Sequence, residues 1–211
     1  MSFFSKILRP NHPSPEPYVL RWVDNRMSET GSSGKVTISD AFFVNFIYGL
    51  STFARKPTDK DYATDAALFE IGCYTGFRVY NLLYYNHPEL HKELSTKLDC
   101  SFVILFSEAL GKPAQGSGGI LELYSQRREK YFDLYCAEAD LGKYVFYLTE
   151  LVLLSKGNRA PRSYNFDNEP LSSLSAVEST SLQLQIGTWL ANMQPAMIES
   201  LDRLLKKVKA L

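Results

Sequence analysis

Residues 62–85 are apolar on nearly every side when wound at about 100° per residue, and a helix of that kind is accommodated only in the middle of a bundle. Gly72 and Gly76 stand four apart on it. Each costs about 1 kcal/mol of helix propensity relative to alanine, so close crossing by a neighbouring helix is the expected compensation. Around this segment the same periodicity predicts helices over 17–28, 38–55, 88–110, 119–137, 139–156 and 175–209, the last bent or broken at Pro195. No alternating strand of useful length intervenes. The expected fold class is therefore all-α: an irregular bundle of about six to seven helices around the central apolar one.

The punctuation between the helices agrees with that reading. Ser175 and Glu178 have capping-box spacing, Pro88 suits a first helical position after Asn86 or His87, and Gly111 and Gly157 are natural stops. Loops fall at 10–17, 30–34, 111–118 and 157–173. The expected organisation is a flexible tail over 1–16 ahead of a single helical domain over 17–211. Within the tail, Phe3, Phe4, Ile7 and Leu8 oppose Lys6 and Arg9 over two turns. That is too short and too weakly charged for a membrane anchor, and suits docking onto the domain itself or a neighbour.

Charge is misplaced in one segment. On the wheel of 120–136, Ile120, Leu123, Tyr124, Tyr131, Leu134 and Tyr135 share an arc. Arg127 projects from near the middle of that arc and Arg128 from nearer its edge. A guanidinium aimed at a core needs an anionic or carbonyl partner, because burying it alone costs several kcal/mol. Glu70 is the first candidate, with Glu108 and Glu150 as alternatives; a bound anion is the other solution. On the central helix Glu70, Tyr74, Arg78, Asn81 and Tyr85 fall within about 80° of one another. This stripe is either a solvent-facing strip or one wall of a polar pocket. The candidate site, as a buried ion pair or an anion pocket, is thus Arg127, Arg128, Glu70, Arg78, Tyr74, Tyr124 and Tyr131.

Composition narrows the partners. Basic and acidic residues number 23 each, and the balance holds in both halves, so there is no basic excess for phosphate neutralisation and nucleic acid is not an expected partner. The cluster Arg203, Lys206, Lys207 and Lys209 ends the last helix, where cations favour the dipole. The longest charge-free run, Ser179 to Ile198, is too rich in Ser, Thr and Gln for a membrane span. Cys73, Cys100 and Cys136 lack redox or metal spacing and read as buried free thiols of a cytoplasmic protein.

Catalytic patterns fail on inspection. In His87-Pro88-Glu89-Leu90-His91 proline stands where a zinc-protease helix needs glutamate, and it puts His87 at or before the helix start, so no joint metal site is expected. Gly111 to Gly118 has phosphate-loop glycine spacing without the Lys-Ser/Thr that grips phosphate. No Gly-x-Ser-x-Gly elbow occurs. Glu138 and Asp140 flank a helix junction, where capping explains them. No cofactor is implied. The expected function is a non-catalytic protein-interaction or regulatory module of adaptor or immunity type, binding another protein or itself. The alternative is a ligand-binding protein or enzyme whose Arg/Tyr-lined interior pocket takes a small anion.

Overall fold

The computed structural model describes residues 16–30, 36–55, 62–156, 159–164 and 176–209. The expected tail (apart from Glu16), its amphipathic turn over 2–9, the Gly157 stop, the Ser175–Glu178 capping box, and most of the 30–34 and 157–173 loops lie outside the described residues or side chains.

The chain is all-α. Helices α1 (Tyr18–Thr30), α2 (Ile38–Arg55), α3 (Asp65–Asn86), α4 (Pro88–Leu110), α5 (Ile120–Cys136), α6 (Leu141–Leu154), α7 (Ala176–Thr188) and α8 (Gln194–Lys209) follow in order, and no strand occurs among the described residues. α3 is the hub: every residue from Ala66 to Phe77 is buried, and the helix packs against α1, α2, α4, α5, α6 and α8. It starts three residues later than its periodicity suggests, because the Thr64 hydroxyl accepts from the Ala67 N–H at 3.2 Å and caps it. Asp65, its first residue, also serves α1. Its carboxylate accepts the backbone N–H groups of Tyr18 (2.7 Å) and Val19 (2.8 Å), capping from a distance a helix that follows Pro17 without a capping side chain of its own.

The glycines on α3 allow close approach. A Cβ on Gly72 would sit 2.6 Å from the Phe102 ring of α4 and 3.1 Å from Leu50 of α2; on Gly76 it would sit 2.9 Å from the Tyr124 hydroxyl of α5. Phe102 anchors the aromatic centre, with ring centroids 4.5 Å from Phe106, 4.7 Å from Tyr124, 5.7 Å from Phe69 and 6.3 Å from Phe46. The tyrosines divide between interior and surface. Tyr74, Tyr124 and Tyr131 are interior, but Tyr48, Tyr84, Tyr85 and Tyr135 stand at the surface. Tyr135 is 44% exposed, which corrects its place on the apolar arc: it lies at the edge of that arc in the last turn of α5, where its ring meets Phe77 at 6.1 Å and its other side is open.

Ahead of Pro195 the helix widens into a π-turn. α7 and α8 run on through Trp189–Met193, where the Gln194 N–H reaches back to the Trp189 carbonyl. Widening the helix here relieves the clash between the proline ring and the carbonyl four residues earlier, so the helix continues past the proline without breaking. His87 occupies the N-cap position of α4 without a side-chain capping bond, Pro88 takes the first helical position, and Gly111 closes α4 in the left-handed region at φ 60°. Asp140 caps α6, accepting from the Lys143 N–H at 3.0 Å, while Glu138 turns the corner before it at φ 51°. One expectation is overturned. Only Cys73 is buried; Cys100 and Cys136 are exposed, because each falls on the outer arc of a helix whose apolar residues face the other way.

Candidate functional site

The seven candidate residues separate into three groups, each set by the helix face that carries it. The first is a buried ion pair. Arg127 and Glu70 are each 1% exposed, and the guanidinium donates through Nε to Oε2 at 3.0 Å and through Nη2 to Oε1 at 3.1 Å. Nη2 donates as well to the Arg162 carbonyl at 2.8 Å, tying the 159–164 strap to the pair. Burial opposes the charge on Arg127, but the field and hydrogen bonds of Glu70 outweigh it and raise the guanidinium pKa above its ordinary value. The alternatives lie elsewhere: Glu108 accepts from the Tyr18 hydroxyl at 2.8 Å, and Glu150 is buried on α6.

Tyr74 and Tyr131 wall this pair with aromatic surface. Their rings meet edge to face at 5.1 Å, and both are 1% exposed. Burial first, and then the Glu70 charge, push the Tyr131 phenol well above its usual pKa. The same two causes raise the Cys73 thiol, which is therefore a neutral interior group and not a nucleophile.

The second group is half-buried. Arg128 Nη1 donates to Asp99 Oδ2 at 2.6 Å, and the guanidinium lies over the rings of Tyr80 (5.1 Å) and Tyr124 (5.3 Å). The Tyr124 hydroxyl donates to the other oxygen of Asp99 at 2.8 Å. Burial, followed by the nearby Asp99 charge, raises the Tyr124 pKa well above normal. Asp99 was missed in the sequence although its signal was present. On the wheel of α4 it falls between Phe106 and Val103, inside the buried arc, the same misfit that singles out Arg127.

The third group is open. Arg78 is exposed, and its guanidinium donates to the Tyr74 hydroxyl at 3.3 Å. The polar stripe of α3 is thus two things in succession: Glu70 and Tyr74 are interior, while Arg78, Asn81 and Tyr85 line a cleft of about 450 Å³ beside the α5–α6 junction and α8. Tyr135 and Tyr144 face it from the far side, and Phe77, Leu82 and Ile198 supply apolar surface. The Tyr85 and Tyr135 hydroxyls are 3.3 Å apart. Burial and the neighbouring Tyr74 raise the Tyr144 pKa, and Arg78 pulls it back.

The histidines have other roles. His87 Nε2 is 2.7 Å from Asp202 Oδ1 of α8, and Asp202 in turn accepts from Lys206 at 2.6 Å. These bonds, Lys206 foremost, hold the Asp202 carboxyl below its usual pKa. The His91 ring packs edge-on against Tyr80 at 4.5 Å and Tyr84 at 5.5 Å. No group of three or more metal-ligating side chains occurs among the described residues. No described helix is long and apolar enough to cross a membrane. Comparison with protein-family models, with curated proteins and with solved structures finds no match, so the chemistry of these three groups is the basis for a functional reading.

Proposed function

We propose that this chain is a non-catalytic protein-interaction module whose partner docks on the aromatic end of α3 and α5. The observation that carries the reading is the concentration of exposed rings there: Tyr84 at 56%, Tyr85 at 62% and Phe132 at 56%, with Tyr135 beside Tyr85. Tyrosine and phenylalanine are the side chains enriched at interface centres, where two rotatable angles keep the entropy of ordering small. The internal charges support the same reading. Arg127 and Arg128 are engaged by Glu70 and Asp99, so they serve packing and leave the surface to recognise. A cytoplasmic setting is consistent with three unbridged cysteines.

Tyr84→Ser/Phe132→Ser is the test, since neither residue supports the core. The variant should melt within a few degrees of the wild type. A partner recovered with the wild type, purified and titrated back, should bind the variant at least about tenfold more weakly. Equal affinity for the two forms would remove the aromatic end from the interface.

A further inference from the structure

We propose that the cleft between α3, the α5–α6 junction and α8 binds a small organic carboxylate bearing an aromatic ring, with Arg78 holding the carboxylate. This goes beyond the partner-binding reading and does not depend on it.

Arg78 differs from its two neighbours in the candidate set. Arg127 meets Glu70 with two bonds and Arg128 meets Asp99, whereas Arg78, an exposed residue of the cleft lining, has a single side-chain bond, to the Tyr74 phenol, which leaves further donors of its planar fork for a ligand. Among the described residues no carboxylate lines the cleft or pairs with this guanidinium. That fork matches the two oxygens of a carboxylate. Asn81, three residues on and on the same face of α3, adds an amide donor beside it, and the Tyr85 and Tyr135 hydroxyls stand at the rim.

The lining also selects the rest of the ligand. Neither lysine nor a second arginine contributes, so the site offers one positive charge, which suits a planar monoanion better than a phosphate dianion. Phe77, Tyr135 and Tyr144 present ring surface, which favours an aromatic body over a short aliphatic one. A volume of about 450 Å³ falls in the range of small-molecule sites.

The test is a titration of the isolated, isotope-labelled full chain with benzoate and phenylacetate, followed by NMR at the Arg78 side chain and the Asn81 amide. Saturable shifts with a dissociation constant of about millimolar order are expected for probes of this size. Benzamide, which keeps the ring but not the charge, should bind at least about tenfold more weakly, and phenyl phosphate should not outbind benzoate. Arg78→Gln should weaken benzoate by at least about tenfold, and Arg78→Lys by less, because it keeps the charge and loses the fork. Absence of saturable shifts, or benzamide binding as tightly as benzoate, would overturn the proposal. So would a folded Arg78→Gln chain that retains wild-type affinity. Should that variant fail to fold, the benzoate and benzamide comparison on the wild type decides alone.

Discussion

Arg127→Ala is expected to lower the unfolding free energy by about 3–5 kcal/mol, measured by urea denaturation with an unchanged slope. The size follows from what remains. Glu70 is 1% exposed and would lose both of its guanidinium hydrogen bonds without gaining access to water. A buried carboxylate left in that state must stay charged without a partner or take up a proton, and either outcome weakens the fold. The 159–164 strap loses its tie as well, since the Arg162 carbonyl accepts from the same side chain. Arg128→Ala is the internal contrast. Its side chain is 26% exposed and its partner Asp99 is 32% exposed, so water can replace much of what is lost. A cost of about 1–2 kcal/mol is expected there, shared between the ion pair and the Tyr80 and Tyr124 ring faces. Equal costs for the two arginines would mean that burial does not distinguish them.

Phe102→Ala is expected to cost about 3–5 kcal/mol and to lower the melting temperature by roughly 6–20 °C. Phe102 is fully buried and touches the rings of Phe46, Phe69, Phe106 and Tyr124, so truncation opens a cavity bounded by four aromatic groups that cannot all move inward. Gly72 supplies a second readout. In the wild type a Cβ at that position meets Phe102 at 2.6 Å, and Gly72→Ala should destabilise by about 1–3 kcal/mol through overpacking. Once Phe102 has become alanine that contact is absent. The same substitution should then cost clearly less than in the wild type, because alanine gains up to about 1 kcal/mol of helix propensity over glycine and only the Leu50 contact at 3.1 Å is left to accommodate. Additive losses at the two positions would show that Gly72 is required for a reason other than the Phe102 ring.

Much of this architecture is written in periodicity. A run such as 66–77, apolar on nearly every side, marks a central helix without reference to its neighbours, and punctuation by Pro88 and Gly111 needs only local geometry. Arg127 was legible for the same reason: one helical wheel suffices to show a charge on a core-facing arc. Features that require two helices at once were not. Asp65 capping α1 across the fold, and the pairing of Asp99 with Arg128, depend on which surfaces meet; a single wheel shows the misplaced charge of Asp99 but not its partner. The α3 stripe shows the boundary most clearly. Its residues share one face, but Tyr74 is covered while Arg78, one turn on, opens onto the cleft: that face loses its cover between them, although Val79 and Leu83 on other faces stay buried. Cys100 and Cys136 failed for a related reason: apolar neighbours in sequence do not place a residue on the apolar face.

The most direct measurement of the account, in which the α5 arginines stabilise the interior and recognition is left to the surface, is a double-mutant cycle of Glu70→Leu and Arg127→Met. Each single substitution strands one buried charge and should cost about 3–5 kcal/mol, whereas the double removes both charges and keeps apolar volume in their place. The double variant should therefore recover most of the loss and lie within about 1–2 kcal/mol of the wild type, with an intact bundle by circular dichroism. Additive destabilisation in the double, or a single Arg127→Met that is as stable as the wild type, would contradict it.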